Sequence, residues 1–241
     1  MKYILSLALL ILIYGCSNTA DSKIDYIAHK SNSEIQIDGI AAEEAWEQAE
    51  WREISERWLG QPYTKDDFTG RFKLSWDDNH LYVLAEITDD SLYHVYDGTD
   101  RYWDNDILEI FIDEDASGGN HQYNHNAFAY HIDKNYDVFD IDTDSSAYYF
   151  NDHVNTQRSK SGNTYTWEVA IKIYDDSFNR NVENYPVDLF AGKEMGFAIS
   201  YCDNDTSEFR ENFIGSVEVK GEDKNRGWID AGTFGRLVLQ E

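Results

Sequence analysis

Cysteine and proline are scarce in this sequence. Among 241 residues there are two cysteines, Cys16 and Cys202, and two prolines, Pro62 and Pro186. Two thiols allow one disulfide at most, so the chain cannot be a small scaffold held together by several disulfides. The fold must therefore be stabilised by a hydrophobic core, and the prolines are expected in loops.

Basic residues are also few. Lysine and arginine total 20 against 46 aspartates and glutamates, which gives a formal net charge of -26 at pH 7. A protein that binds nucleic acid needs a basic surface for the phosphates, and the sequence has no cluster of lysine and arginine. We therefore expect no nucleic-acid partner, whereas a strongly acidic surface can attract cations such as calcium.

Common catalytic motifs are missing too. The sequence contains no nucleophile elbow, phosphate-binding loop, zinc motif or dinucleotide-binding fingerprint. Aromatic residues, by contrast, are abundant: they make up 15% of the chain, with 17 tyrosines and 7 tryptophans. This is more than a small core requires, so we predict that some of these rings line a binding surface.

A single apolar run lies near the N-terminus, over residues 4–13, and it follows Lys2. The run is too short to span a bilayer. Residues 1–15 resemble the signal peptide of bacterial lipoproteins, in which cleavage before Cys16 leaves that cysteine to be lipid-modified. The resemblance implies an anchor in the cell envelope, at the outer membrane, with the lipid as the only membrane contact. Cys202 lies in an apolar stretch and is expected to be a buried hydrophobe.

The rest of the chain predicts one domain. Residues 16–33 are polar and lack periodicity, as expected of a tether, and the domain is predicted to span residues 34–241. Within it, residues 41–49 predict a short helix with Trp46 on its apolar face. A hairpin is predicted over residues 71–88 and further strands at residues 107–112, 127–132, 138–141, 154–159, 165–173, 195–202 and 237–239.

Regularly spaced strands with few helices predict an all-β fold. We expect an antiparallel two-sheet β-sandwich, jelly-roll-like, with a short N-terminal helix. Trp76 and Trp167 lie in phase with apolar strand faces and are therefore assigned to packing in this sandwich.

Residues 102–113 join a polar, aromatic loop to an apolar strand that contains a carboxylate. Because side chains alternate along a strand, Glu109 shares a face with Ile107 and Phe111. An ionised carboxylate among apolar neighbours is costly unless hydrogen-bond donors converge on it. A sugar offers hydroxyl donors and an apolar ring face that could lie on Trp103, so the pairing suggests a sugar site. The alternative is a core tryptophan and an ordinary glutamate on a solvent-facing strand.

Short motifs rich in tryptophan, aspartate and glycine are spread over most of the chain. In order they are Ile37-Asp38-Gly39 with Trp46, residues 75–83 (SWDDNHLYV), residues 103–106 (WDND) leading into residues 109–113 (EIFID), and Trp228 before residues 234–237 (FGRL). Their order and spacing resemble the family 9 carbohydrate-binding modules. The resemblance implies a sandwich that binds oligosaccharides or polysaccharides of plant or algal type without catalysis.

The resemblance also implies a set of ligand-binding residues. In that family two tryptophans from separate loops hold a sugar ring between them, while charged and amide side chains bind its hydroxyls. By position, the two tryptophans are Trp103 and Trp228, the acceptor is Glu109, the cationic donor is Arg210 and the amide is Asn225.

The sequence departs from the family pattern at Ala129. The best-known members of the family carry another ligand-binding arginine there. Tyr130 or His131, which follow directly, are expected to compensate. The departure affects the choice of ligand more than the fold.

A cation site is a second prediction. Asp113, Asp115 and Ser117 place oxygens at alternate positions before a glycine, as at the start of a calcium-binding loop. The glutamate expected at position twelve of such a loop is replaced by Asn124. The family often holds structural calcium, which supports the site, and the alternative is an acidic turn without an ion.

Two further functions remain open. Related sandwiches bind haem through methionine, histidine or lysine, and a haem protein of envelope electron transfer would draw its ligands from Met195, His121, His125 and His131. A glycoside hydrolase needs two carboxyl groups roughly 5 to 10 Å apart, and three carboxylates lie close in sequence: Asp104, Asp106 and Glu109. Binding is favoured over catalysis, because an acidic chain brings some carboxylates together by composition alone.

Overall fold

The computed structural model describes residues 23–241, which form fourteen strands and one short α-helix. The strands are β1 (Tyr26–Lys30), β2 (Arg52–Ile54), β3 (Glu56–Leu59), β4 (Phe68–Trp76), β5 (Leu81–Asp89), β6 (Ile107–Asp113), β7 (Phe128–Ile132), β8 (Val138–Ile141), β9 (Ala147–Tyr149), β10 (Val154–Ser161), β11 (Thr164–Ile171), β12 (Glu194–Asp203), β13 (Asn212–Gly215) and β14 (Gly235–Gln240). The helix α1 is Glu44–Gln48, and two 3₁₀ turns occupy Tyr102–Asp104 and Ala231–Thr233.

The strands form a β-sandwich, which confirms the predicted fold class. One half has the order β10-β11-β5-β4, the other has the order β14-β12-β6-β7-β8-β9, and β1 lies between β4 and β14. The two halves pack face to face over the main core, which contains Val83 and Trp167 from one half and Ile110 and Ile199 from the other. Trp76 belongs to the same core, so the packing role of both predicted tryptophans is confirmed.

The strand β1 departs from the prediction in two ways. It pairs in parallel with both β14 and β4, whereas every other strand pair is antiparallel among the described residues. It also lies within the stretch predicted as a tether, so the predicted domain start at Glu34 is wrong. Only Tyr26 and Ala28 of its five residues are buried, too few for an alternating pattern to be recognised in the sequence.

The other predicted elements lie close to their observed bounds. The hairpin of β4 and β5, and the strands β6, β7, β8, β10, β11, β12 and β14, are confirmed. Four short strands were not predicted, namely β2, β3, β9 and β13, because three or four residues carry too little periodicity. The helix is shorter than predicted, and Trp46 is buried as expected, with its indole N–H donating to Glu168 Oε1 at 3.0 Å.

The strand β6 is buried along its whole length because both of its faces are covered. Leu108 and Ile110 face the main core, whereas Ile107 and Phe111 belong to a second, smaller apolar cluster on the outer side of the sheet. Phe213 of β13 is part of the same outer cluster. This cluster forms a base for the long loops that connect the strands on this side.

No helix in the described part of the chain is long and apolar enough to cross a bilayer. The predicted signal peptide and Cys16 lie outside the described residues.

Candidate functional site

A cavity of about 360 Å³ lies on the outer side of the β6 half of the sandwich, where loops meet the sheet. Ten residues line it: Tyr102, Trp103, Glu109, Tyr123, His131, Ile141, Arg210, Phe213, Asn225 and Trp228. All six residues predicted to bind a ligand are among them, although they come from distant parts of the sequence.

The inner wall of the cavity is built on three neighbouring strands. Glu109 of β6 is paired across the sheet with His131 of β7 on one side and Ser200 of β12 on the other. The carboxylate is 2% exposed, with Oε1 lying 3.0 Å from His131 Nε2 and Oε2 accepting a longer hydrogen bond, 3.4 Å, from Ser200 Oγ. Glu109 is therefore held by its neighbours while one of its oxygens is only weakly engaged.

The contacts of His131 favour its charged form. Its Nδ1 lies 2.8 Å from the carbonyl oxygen of Ala129, which can only accept, and its Nε2 faces the Glu109 carboxylate. Burial alone would lower the pKa of His131, but the charge of Glu109 and its hydrogen bond outweigh this and raise it. An imidazolium that donates from both nitrogens satisfies both acceptors.

A second acidic group lies close to this pair. Asp140 is buried, and burial raises its pKa to about 7, although the backbone N–H groups of Ala129 and Ile141 donate to its oxygens at 2.9 Å and 2.7 Å. The charge of His131 opposes the rise. Asp140 does not line the cavity itself, so it acts on the Glu109–His131 pair from behind the wall.

Arg210 enters the cavity from the loop between β12 and β13. Its guanidinium lies 4.1 Å from the ring of Phe213, and its nitrogens donate to Asn225 Oδ1 at 3.1 Å and to Cys202 Sγ at 3.2 Å. No carboxylate of the described residues forms an ion pair with it. The arrangement leaves a positively charged fork, held in place by a ring and an amide, in a cavity that also contains Glu109.

Trp103 and Trp228 lie at the mouth of the cavity, and each ring is 37% exposed. Trp103 is in the first 3₁₀ turn, where it packs edge-on against Tyr102 at 5.1 Å between ring centroids. Trp228 follows Gly227, at which a Cβ would lie 3.0 Å from the ring of Phe111. Glycine lets the loop approach the outer cluster closely without displacing this ring.

Four lining residues were not predicted: Tyr102, Tyr123, Ile141 and Phe213. Tyr102 and Phe213 are buried supports, and Tyr102 stacks on Phe139 at 5.0 Å. Tyr123 is an exposed third ring of the cavity, in a turn where its φ is +59°. No local sequence pattern marked this ring as part of the site, because the turn that carries Tyr123 is what places it at the cavity.

Tyr130 and His131 were the two residues expected to compensate for the missing arginine at Ala129, and only one of them faces the cavity. Tyr130 points into the main core, where its hydroxyl lies 2.8 Å from His153 Nδ1, so its assignment to the site is wrong. His131, one residue further on the strand, faces the cavity. Strand alternation explains the difference, because Ala129 and His131 share a face and Tyr130 does not.

The predicted calcium loop places two carboxylates side by side. Asp113 is 1% exposed; its Oδ2 accepts from the Gly118 N–H at 2.7 Å, and its Oδ1 is buried without a hydrogen-bond partner. Burial and the carboxylate of Asp115 raise the pKa of Asp113. The Ser117 hydroxyl, however, makes a long hydrogen bond of 3.4 Å with Asn126. Hard oxygen ligands are present, and calcium at this loop stays a prediction.

A second acidic cluster was not predicted. Asp89, Asp106 and Asp203 are buried, with carboxylate oxygens that lie within 4.8 Å of one another. Burial, followed by the charge of Asp89, raises the pKa of Asp106 to about 9 and that of Asp203 to about 8. Neutral donors bind parts of this cluster, such as the Tyr201 hydroxyl at 2.9 Å from Asp89 Oδ2. Three strand ends bring these residues together, which local sequence patterns do not show.

The residues considered for haem are dispersed. Met195 is fully buried in the main core, His121 Nε2 contacts the Gly227 carbonyl oxygen at 2.6 Å, and His125 Nδ1 contacts the Phe178 carbonyl oxygen at 2.9 Å. Within residues 23–241, the groups close enough to bind a metal together contain aspartates only.

The carboxylates considered for hydrolysis are also separated. Asp104 Oδ1 accepts from the backbone N–H of Arg210 at 3.0 Å, and Asp106 Oδ1 accepts from the backbone N–H of Asn204 at 2.7 Å. Of the three, only Glu109 lines the cavity. Asp104 and Asp106 instead fix the loops around it.

The model of the family described as carbohydrate family 9 binding domain-like matches residues 37–241. The chain belongs to this family. Exoglucanase XynX of Acetivibrio thermocellus is 25% identical over 174 residues, which cover 72% of this chain and 14% of that protein. The chain thus spans a small part of the length of this relative.

Solved structures of the family share the fold. A family 9 carbohydrate-binding module from Caldicellulosiruptor kristjanssonii, in complex with glucose, has a TM-score of 0.64 and 22% identity and covers 89% of this chain and 95% of its own. The same module in complex with cellotriose gives the same TM-score. A putative carbohydrate-binding protein from Bacteroides uniformis has a TM-score of 0.60 and 13% identity, over 89% of this chain and 98% of its own.

Proposed function

We propose that this family 9 domain binds the end of a β-glucan-type oligosaccharide or polysaccharide in the cavity, without cleaving it. The observation that supports this most is that the six predicted ligand residues line one cavity. Its volume of about 360 Å³ falls within the range of about 300–1,000 Å³ that is usual for small-molecule sites. The complexes with glucose and cellotriose concern related proteins and suggest the first ligands to test.

In this proposal the exposed rings of Trp103 and Trp228 bind the apolar C–H faces of a pyranose. Each ring that becomes covered loses water-exposed apolar area, which favours binding by roughly 25 cal/mol per Å². Because Trp103 already packs against Tyr102 in the free protein, little of its side-chain entropy is lost when the sugar binds.

The polar residues bind the hydroxyls at the ring edge. Glu109 accepts through the oxygen that Ser200 engages only weakly. Arg210 donates from the N–H groups that Asn225 and Cys202 leave free, and Asn225, whose oxygen is taken by Arg210, presents its NH₂ group. Hydrogen bonds to charged groups are the stronger ones, so this set gives the site its specificity.

The geometry supports binding rather than hydrolysis. A glycosidase requires two carboxyl groups across the scissile bond. Glu109 is the only carboxylate that lines the cavity in the described structure, and it is paired with His131. A carboxylate held by a histidine accepts hydrogen bonds well, but it has no second acid opposite it.

A glycan array with the purified protein tests the proposal. We expect retention of β-linked glucans or xylans with a free chain end, and loss of retention for Trp228→Ala. Tyr185→Ala serves as the control, because Tyr185 is an exposed ring that does not line the cavity. Binding that survives Trp228→Ala unchanged, or a wild type that binds no glycan, would contradict the assignment.

We also propose that the domain is anchored to the envelope of a bacterium through lipidated Cys16, at the outer membrane. The support is the sequence of residues 1–16, with its short apolar run before the cysteine. Labelling with a radioactive fatty acid in a bacterial host tests this. A Cys16→Ala protein that keeps the label would overturn the assignment.

A structural role for calcium is a further proposal, at the loop of Asp113, Asp115 and Ser117. The support is a buried Asp113 oxygen without a hydrogen-bond partner, on a carboxyl group that interacts with the Asp115 carboxylate. A divalent cation would let both carboxylates ionise and would satisfy this oxygen. Melting curves recorded with calcium and with a chelator test the proposal, and a melting temperature that calcium does not raise would contradict it.

A further inference from the structure

The loop that brings Arg210 into the cavity also carries an exposed aromatic ring. Phe209 is 60% exposed, and it immediately precedes Arg210, which lines the cavity. A large apolar side chain exposed to this degree beside a binding site is a candidate contact surface for the ligand. None of the motifs of the sequence pointed to it.

One face of the Phe209 ring is held by a cation. The guanidinium carbon of Arg101 lies 4.4 Å from the centre of the Phe209 ring and 4.3 Å from the centre of the Tyr96 ring. Arg101 therefore contacts both rings. A cation over one face of a ring restricts its orientation. Since Phe209 is 60% exposed, ring surface not covered by Arg101 stays accessible.

Hydrogen bonds fix this stack relative to the cavity. Arg101 Nε donates to Asp104 Oδ2 at 2.9 Å. The other oxygen of Asp104 accepts from the backbone N–H of Arg210 at 3.0 Å. The Tyr96 hydroxyl donates to the Glu208 carbonyl oxygen at 2.8 Å. The loop that carries Trp103 and the loop that carries Phe209 are therefore tied together, and the ring has a set place next to the cavity.

We infer that Phe209 forms a stacking subsite for the second or third sugar of an oligosaccharide whose end occupies the cavity. This inference rests on the proposed function. The apolar face of a pyranose covers the open face of Phe209, while Arg101 and Tyr96 hold the ring from the other side. The domain therefore distinguishes oligosaccharides from monosaccharides by chain length, through a contact that a single sugar in the cavity does not make.

The experiment compares ligands of increasing length. Calorimetric titration with glucose, cellobiose, cellotriose and cellotetraose is carried out on the wild-type full chain, Phe209→Ala, Phe209→Trp and the exposed-ring control Tyr185→Ala. We expect the wild type to bind longer ligands more tightly. Phe209→Ala should weaken binding of the longer ligands by about 3- to 10-fold, the effect of one aromatic contact, and change glucose binding by less than about twofold. Phe209→Trp should keep the preference for length.

The possible outcomes separate the two proposals. A wild type that binds none of the four ligands would overturn the β-glucan function and this subsite with it. A wild type that binds them, but with an affinity independent of length, would overturn the subsite alone. The same holds if Phe209→Ala loses affinity equally for glucose and cellotetraose, or loses none. Melting curves establish that each variant is folded, which the exposed position of Phe209 favours.

Discussion

The substitution Glu109→Gln separates ligand binding from stability at the centre of the site. It keeps the size of the side chain but replaces a charged acceptor with a neutral amide. In the free protein Glu109 is paired with His131 at 3.0 Å and not with Arg210. The substitution should therefore change stability by weakening the contact with His131. It should change ligand affinity because Oε2, which Ser200 engages only weakly, is the oxygen that a sugar hydroxyl would contact.

The structure gives a magnitude for each effect. One hydrogen bond from a sugar hydroxyl to a charged acceptor is worth about 1.5–3 kcal/mol, and the amide keeps part of this, so we expect a loss of about 1–2 kcal/mol, or about 5- to 30-fold in Kd. Stranding a buried charge would cost about 3–5 kcal/mol of stability. His131 avoids most of this because it can lose a proton and accept from the glutamine amide, so we expect about 1–3 kcal/mol.

Calorimetric titration and urea unfolding measure the two effects on the same variant. Glu86→Gln is the matched control, because Glu86 forms a partly exposed pair with Arg71 away from the cavity. The control should bind sugar as the wild type does. A Glu109→Gln protein with wild-type affinity would refute its role as acceptor, and a wild-type stability as well would refute the pairing with His131.

Three other predictions follow from the site and the acidic clusters. Trp103→Ala and Trp228→Ala should each weaken sugar binding by about 1–3 kcal/mol in titration and leave the melting temperature nearly unchanged, since both rings are partly exposed; a large drop in melting temperature with intact binding would contradict this. Because the folded-state pKa of His131 is raised, its stabilisation is fully present below its ordinary pKa of about 6.5 and is lost as pH rises through the folded value. The difference in urea unfolding free energy between wild type and His131→Gln should therefore be larger at pH 6 than at pH 9, and a difference that grows with pH would refute the assignment. Calcium should raise the melting temperature relative to a chelator, and Asp115→Asn should remove this gain; if Asp203→Asn removes it instead, the ion binds the second acidic cluster.

Several features of the fold could be predicted from the sequence because they depend on neighbours along the chain. Alternation placed Glu109 on the face of Ile107 and Phe111, and it assigned Trp76 and Trp167 to the core. The strand β1 could not be predicted, because its partners Leu237 and Ser75 are far away in the sequence and its own pattern is short. Pairing between distant strands, not local preference, stabilises it.

The sequence alone determined the fold class, the face on which each long strand presents its side chains, and, through the motifs, the residues around which the site is built. The tertiary structure decided which of these residues meet. Ser200, 91 residues away from Glu109, becomes its neighbour through the pairing of β12 with β6, and His131 does so through β7. The pairing of distant strands also brings three aspartates together, namely Asp89, Asp106 and Asp203. Alternation is a property of a single strand, whereas register depends on how all the strands bury their apolar faces together.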